Sequence, residues 1–414
     1  MKRLLFLLLA SLALAAPISA DSPSQLLSTP AVHRAIDYLK ATEPATIDEQ
    51  IAGCEIPAPS FDEVARAEHY RQRFTEVGLK NVRMDLEGNI IGERPGIKRV
   101  PTLVLAAHLD TVFPAGTDVR VRRDGNMLKG PGIGDDCRGL AVILAVARAM
   151  NEAHIQTLGT ILFVADVGEE GLGNLRGVRY LLTEDLKEKP AAFITIDSSG
   201  FDIINREIGS HRYRITFHGP GGHSYLAFGL PSAIHAIGRA IDKISRFKVP
   251  EQPKTTFTVG RVEGGTSVNS IARTAWMEVD LRSEGAEELA RIDFDLKQAV
   301  QAALEEENTF WSSDQTLTVE VQPIGVRAVG KQHPRAPVVE SALAANAALG
   351  IESTLKSGST DAGVAVALGI PAIGLGGGGR WIGAHSLEES FDTTDSYLAS
   401  QRALLISLAI AGVK

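Results

Sequence analysis

The chain has 414 residues, 44% hydrophobic and 22% charged, with 40 Gly and 19 Pro, a balance that excludes collagen, a coiled coil and a mostly disordered chain and allows two or three domains with cores of their own. Lys and Arg total 42 against 50 Asp and Glu, a net charge of -8, and no Lys/Arg-rich stretch is present to track phosphates, so nucleic acid is not an expected partner. Two cysteines, Cys54 and Cys137, are too few for a disulfide framework or a metal quartet; either they pair with each other in an oxidising compartment or they are two small buried side chains.

At the start of the chain, Lys2 and Arg3 precede an apolar run from Leu4 to Ala16, followed by small residues ending at Ser19-Ala20. This is the pattern of a secretory signal. The run is shorter than the roughly 20 residues that span a bilayer, no Cys follows it to accept a lipid, and no later stretch reads as transmembrane. Residues 1–20 are therefore expected to be a signal peptide cleaved after Ala20, leaving a soluble exported protein, periplasmic and free of the membrane.

Apolar runs of strand length, each ending in a polar or Gly-rich cluster, follow at Thr102 to Ala107, Thr160 to Ala165, Ala192 to Ile196 and Pro371 to Leu375. Helical patterns alternate with them, at Gly139 to Met150 and over much of Thr360 to Leu368. The alternation predicts an α/β fold with a mixed, largely parallel sheet covered by helices on both faces. Ligands of such sheets bind at the carboxyl ends of the strands. Between about Arg212 and Pro323 the order becomes β-α-β-β-α-β, which suits a smaller α+β two-layer module inserted into the larger sheet. The expected division is a first catalytic part over 21–211, an inserted lid or dimerisation domain over 212–323, and a second catalytic part over 324–414.

Four acidic or imidazole clusters sit at strand ends or in Gly-rich turns: His108 and Asp110 after the first run, Glu169 and Glu170 after the second, Asp197 after the third, and the pair Asp135-Asp136 in GPGIGDDCRG. A late His385 follows the Gly376 to Gly379 run. One Asp at a strand end is usually a turn or helix cap. Carboxylates gathered at one edge repel, and a cation is the economical way to hold them. Mixed imidazole and carboxylate ligands suit zinc, with cobalt or manganese as substitutes, better than calcium or magnesium. Charge and ligand count point to two ions: Asp135 bridging, His108 and Asp197 completing one, Glu170 and His385 the other, and a hydroxide between them as nucleophile. Asp110, two residues from His108, is placed to accept its free ring N–H. Glu169 points away from its ligand neighbour, towards the water, and is the expected general base.

These residues resemble the co-catalytic zinc peptidases that include aminoacylase, peptidase T and the glutamate-releasing carboxypeptidase G type. The resemblance rests on HLDTVFP, the Asp-Asp turn, GEEG, Asp197 and AHSLEE, in that order, and on GPGGHS and VNSIARTAWMEVDLR in the inserted segment. It implies the metal ligands His108, Asp135, Glu170, Asp197 and His385, Glu169 as base, Asp110 behind His108, and a cis peptide bond at Asp135-Asp136. His223 in GPGGHS is implied to stabilise the oxyanion, often from the opposite subunit of a homodimer formed through the lid. Asn269 and Arg282 are implied to hold the carbonyl or terminal carboxylate of the substrate; Arg282 alternatively serves as an ordinary salt-bridge partner. Cys137 stands where relatives of the peptidase T kind have Lys. Gly376 to Gly379 either lets substrate approach the backbone closely or forms a flexible turn.

The expected function is that of an exported metal-dependent exopeptidase acting on small peptides. The same site also suits an N-acyl amino acid amidohydrolase, and a periplasmic solute-binding protein is the reading from another class.

Overall fold

The computed structural model describes residues 22–98, 100 and 102–414; the expected signal peptide, 1–20, lies outside them. Nine strands form the larger sheet, in the spatial order Lys80–Met84, Ile90–Arg94, Thr160–Asp166, Thr102–His108, Ala192–Ile196, Ala372–Leu375, Ile203–Glu207 and Gly330–Lys331, with Leu355–Gly358 also pairing with Ile203–Glu207. The central four are parallel neighbours. The Ile90–Arg94 and Ile203–Glu207 strands join them antiparallel, so the sheet is mixed.

Each central strand is buried on both faces, which explains its nearly unbroken apolar sequence. Leu103, Leu105 and Ala107 pack with the helices Cys137–Glu152 and Tyr397–Ala411, while Val104 and Ala106 pack with Val178 and with Ala362 and Ala365 of the helix Ala362–Ala367. Burying one such large apolar side chain contributes about 1.5–3 kcal/mol, so this double-sided core fixes where the strands end. In register, His108 lies opposite Asp166. Gly139 lets the first turn of the helix Cys137–Glu152 meet the end of the strand Ala192–Ile196: a Cβ there would lie 2.1 Å from the carbonyl oxygen of Ile196.

A second, antiparallel sheet has the order Thr255–Gly264, Thr274–Ser283, Gly209–His218, Thr318–Arg327. The helices Ala233–Ser245 and Ala286–Trp311 cover one face, burying Tyr213, Ile215, Phe217, Met277, Val279 and Leu281. Alternation places Arg212, Arg214, Glu278, Asp280 and Arg282 on the other face, where Arg212 pairs with Asp280 and Arg214 with Glu278. Both connecting strands run through the expected junctions at 212 and 323. A bulge between Pro323 and Gly325 interrupts the alternation and hides the continuation to Arg327.

Cys54 and Cys137 are free thiols buried beside Ile47, Leu128, Ile133 and Phe391; of the two readings above, the structure shows buried side chains. The Gly376–Gly379 run follows the strand Ala372–Leu375. It packs on the chain's own backbone, since a Cβ on Gly376 would lie 2.3 Å from Gly200 O and one on Gly379 2.3 Å from Asp392 O. Arg138 Nε donates to Gly377 O at 2.8 Å, and Arg402 Nη2 to Gly376 O.

Candidate metal centre

His108 is the last residue of its strand, and the N–H of the following Leu109 donates to Asp166 O at 2.7 Å, which continues the pairing and aims the ring. Its Nδ1 lies 2.9 Å from the carbonyl oxygen of Asp110 and its Nε2 3.0 Å from Asp135 Oδ1. This corrects the expectation for Asp110: the carbonyl takes the ring N–H, and the carboxylate is farther, 3.6 Å away. That carboxylate is engaged elsewhere, accepting the N–H groups of Glu169 and Glu170 at 2.9 and 3.0 Å and the hydroxyl of Ser60 at 2.6 Å. Asp110 thus orients Glu169 and Glu170 through their main chain.

The peptide bond Asp135-Asp136 is cis. Asp136 caps the following helix, accepting Gly139 N–H at 3.0 Å, and also takes the N–H of His108 at 3.1 Å. Glu389 holds the turn from the other side. Its carboxylate accepts the N–H groups of Gly132, Gly134 and Asp135 at 3.1, 2.9 and 3.2 Å.

Two three-residue donor sets result, each with its ligand atoms within 4.8 Å of one another: His108, Asp135 and Asp197, and Asp135, Glu170 and His385. Asp135 is common to both, with Oδ1 facing His108 and Oδ2 lying 3.1 Å from His385 Nε2. His385 Nε2 is also 3.1 Å from Glu170 Oε1, and His108 Nε2 is 3.9 Å from Asp197 Oδ1. Glu169 contributes to a third grouping, with His108 and Glu170.

The charges show strain that cations would relieve. Burial pushes Glu170 up to about 7 against the hydrogen bond from His385, with the charges of Asp135 and Glu169 adding to the rise. Burial likewise drives Asp197 well above the ordinary carboxylate range, reinforced by Asp135 and Glu169. Hydrogen bonds to Asp135 and Glu170 push His385 up to about 10. A positive charge beside these groups would favour the ionised carboxylates and the neutral imidazole. Imidazole nitrogens and carboxylate oxygens in two sets sharing one carboxylate fit two divalent cations.

Three neighbours escaped the sequence reading. Arg327, which ends the Thr318–Arg327 strand, donates from Nη1 to Glu169 Oε1 at 2.8 Å and from Nη2 to Glu169 O. Nothing in a strand-terminal Arg signalled this. Glu389 lay inside the AHSLEE segment but was passed over for His385, and Ser60 belongs to a loop without pattern.

His223, Asn269 and Arg282 belong to none of the candidate donor groupings. His223 and Asn269 line one open groove of about 790 Å³ together with Glu263, Arg273 and Trp276, and no metal-ligand candidate is among its lining residues. His223 is exposed, its Nδ1 accepting the Tyr225 N–H at 3.2 Å. Arg282 stands outside that groove, with Nε on Asp280 Oδ2 at 2.7 Å.

Residues 104–409 match Peptidase family M20/M25/M40. Carboxypeptidase G2 of Pseudomonas sp. is 28% identical over 355 residues, covering 83% of this chain and 80% of its own. Succinyl-diaminopimelate desuccinylase of Corynebacterium glutamicum is 24% identical over 348 residues, 78% of this chain and 86% of its own. Among solved structures, a tripeptidase from Staphylococcus aureus superposes with a TM-score of 0.73 at 23% identity, covering 89% of this chain and 98% of its own, and has the same fold.

Proposed function

The chain belongs to the M20/M25/M40 peptidase family, and from that premise we propose that this metallo-hydrolase is an exported exopeptidase cleaving amide bonds of small peptides, with two zinc ions as its native cations and cobalt or manganese able to replace them. Membership displaces the solute-binding reading. The observation that carries the proposal is the sharing of Asp135 between two histidines, at 3.0 and 3.1 Å, with Glu169 beside the shared site.

His108, Asp135 and Asp197 would hold one cation, and Asp135, Glu170 and His385 the other. When bound, the pair supplies an electrophile for the carbonyl and an acidified water. The chain's own groups do the rest. Glu169 accepts the proton of the attacking water on its carboxylate and delivers it to the leaving nitrogen. Asp110 fixes the main chain beneath Glu169 and Glu170, and through its carbonyl it selects the His108 tautomer whose Nε2 faces Asp135.

His223 and Asn269 act on the substrate carbonyl in this reading, and Arg282 on a terminal carboxylate. The groove lined by His223 and Asn269 includes none of the proposed ligands, which favours a homodimer in which the inserted module of each chain serves its partner. Mixing His223→Ala protein with Asp135→Ala protein should then restore activity in heterodimers; no recovery, with subunit exchange demonstrated, excludes sharing of that histidine. The desuccinylase relative favours a second reading, hydrolysis of an N-acyl amino acid by the same groups. Elemental analysis together with a panel of dipeptides and N-acyl amino acids separates the two, and full activity of verified metal-free protein would reject both. Export is tested by following residues 1–20 through fractionation: an intact N-terminus in the cytoplasm would refute it.

A further inference from the structure

The loop from Glu169 to Leu175 carries both the proposed base and a ligand, and it is bound on one side by the two strands that lead into the second sheet. From the Gly209–His218 strand, Arg212 Nη1 donates to Gly171 O. From the Thr318–Arg327 strand, the Val326 N–H donates to Asn174 Oδ1 at 2.9 Å, and Arg179 closes the same contact onto Val326 O. Asn174 and Leu175 both sit in the left-handed region, φ 55° and 60°, a conformation that non-glycine residues hold only when their surroundings impose it.

The last residue of that strand makes the closest contact. Arg327 is 6% exposed. Its guanidinium spans Glu169, with Nη1 on Oε1 at 2.8 Å and Nη2 on the main-chain oxygen of the same residue, and Nη1 also reaches Ser359 Oγ at 2.9 Å. Among the described residues Glu169 Oε2 has no hydrogen-bond partner. A planar fork that grips one side-chain oxygen and the main-chain oxygen together fixes the rotation of the intervening side chain, which a point-like ammonium cannot do.

We propose that Arg327 is a positioning residue for Glu169: it locks the carboxylate so that one oxygen is held and the other is left for the attacking water, and because it ends a strand of the second sheet it ties the placement of the base to the seating of that sheet. This rests on the assignment of Glu169 as base in the proposed function. It assigns Arg327 no contact with substrate or cation. A displacement of the base by about 1 Å can cost on the order of 10²-fold in rate, so the predicted effect lies in kcat.

The test uses metal-loaded enzyme and three variants, Arg327→Met, Arg327→Lys and the double Arg327→Met/Glu169→Gln. Arg327→Met should lower kcat by about 10²-fold with KM within about threefold and two ions still bound, and Arg327→Lys should recover part of the loss. In the Glu169→Gln background the same Arg327→Met change should cost less than about threefold, since the group it acts through has been removed. An undiminished loss in that background overturns the proposal. Hydrogen exchange gives a readout independent of turnover: amides from Glu169 to Leu175 should exchange at least about tenfold faster in Arg327→Met, with the Cys137–Glu152 helix unchanged. Unaltered exchange in the loop also overturns it. Should the wild type hydrolyse no peptide or N-acyl amino acid, the proposed function fails while the exchange result still decides whether Arg327 holds the loop. Should Arg327→Met not fold, Arg327→Lys carries both measurements, and wild-type values in both would refute the role.

Discussion

Glu389 Oε1 accepts the main-chain N–H of Asp135 at 3.2 Å, so a carboxylate outside the ligand set fixes the residue that both donor sets share. Two further N–H groups of the same turn, from Gly132 and Gly134, end on that carboxylate. Replacing Glu389 by Ala leaves three buried donors without their acceptor. Outer partners of metal ligands typically contribute 10–100-fold to affinity, and Glu389→Ala should weaken both ions by about that factor. Isothermal titration of metal-free protein measures it, and wild-type affinities would show that the turn holds its shape alone.

Adjacent Glu169 and Glu170 should respond oppositely to the same substitution. Glu169→Gln keeps shape and metal content, and kcat should fall by about 10²- to 10⁴-fold, the range for loss of a general acid-base group. Glu170→Gln should instead weaken one ion, because an amide oxygen is a poorer ligand than a carboxylate. Asp135→Ala should be the most damaging, as it removes a contact to both. Elemental analysis beside steady-state kinetics distinguishes them; a metal lost from Glu169→Gln and kept by Glu170→Gln would reverse the assignments.

Metal binding should release protons near neutral pH. In the metal-free site His385 is pushed up to about 10 and Glu170 up to about 7, so at pH 7 the imidazole carries a proton and the carboxyl is partly protonated. Both must lose their protons to become ligands. Affinity should therefore rise with pH from about 6 to 9, and calorimetric enthalpies should vary with the ionisation enthalpy of the buffer. Buffer-independent enthalpies would contradict the linkage.

Glu207 lies outside the ligand set and gives a stability effect. Burial pushes its carboxyl up to about 8, opposed by hydrogen bonds from Thr360 at 3.0 Å. The folded state then holds a proton that the unfolded chain releases near its ordinary 4.5, so this group's contribution is complete below about 4.5 and declines as pH rises through about 8. Glu207→Gln should flatten that decline. Denaturant unfolding at pH 5, 7 and 9 would test it, and an unchanged slope would assign the decline to other groups.

The strands Thr102–His108, Thr160–Asp166 and Ala192–Ile196 were legible because burial on both faces demands unbroken apolar runs, and each run stops where the chain turns polar at the site. That alone placed His108, Glu169, Glu170 and Asp197 at one edge, since parallel strands bring their carboxyl ends together. Alternation and helical periodicity likewise marked the change of texture past Arg212, where the structure has its second sheet and the two helices that cover it. What stayed hidden depends on contacts between residues distant in the chain. Arg327 meets Glu169 across 158 positions and Glu389 meets Asp135 across 254, and neither contact leaves a periodic trace, because it is made by one side chain and one turn. The direction of Asp110 was hidden for a similar reason. Alternation gives the side of a strand on which a side chain emerges, but the pull of the Glu169 and Glu170 N–H groups, supplied by another loop, decided what its carboxylate would bind.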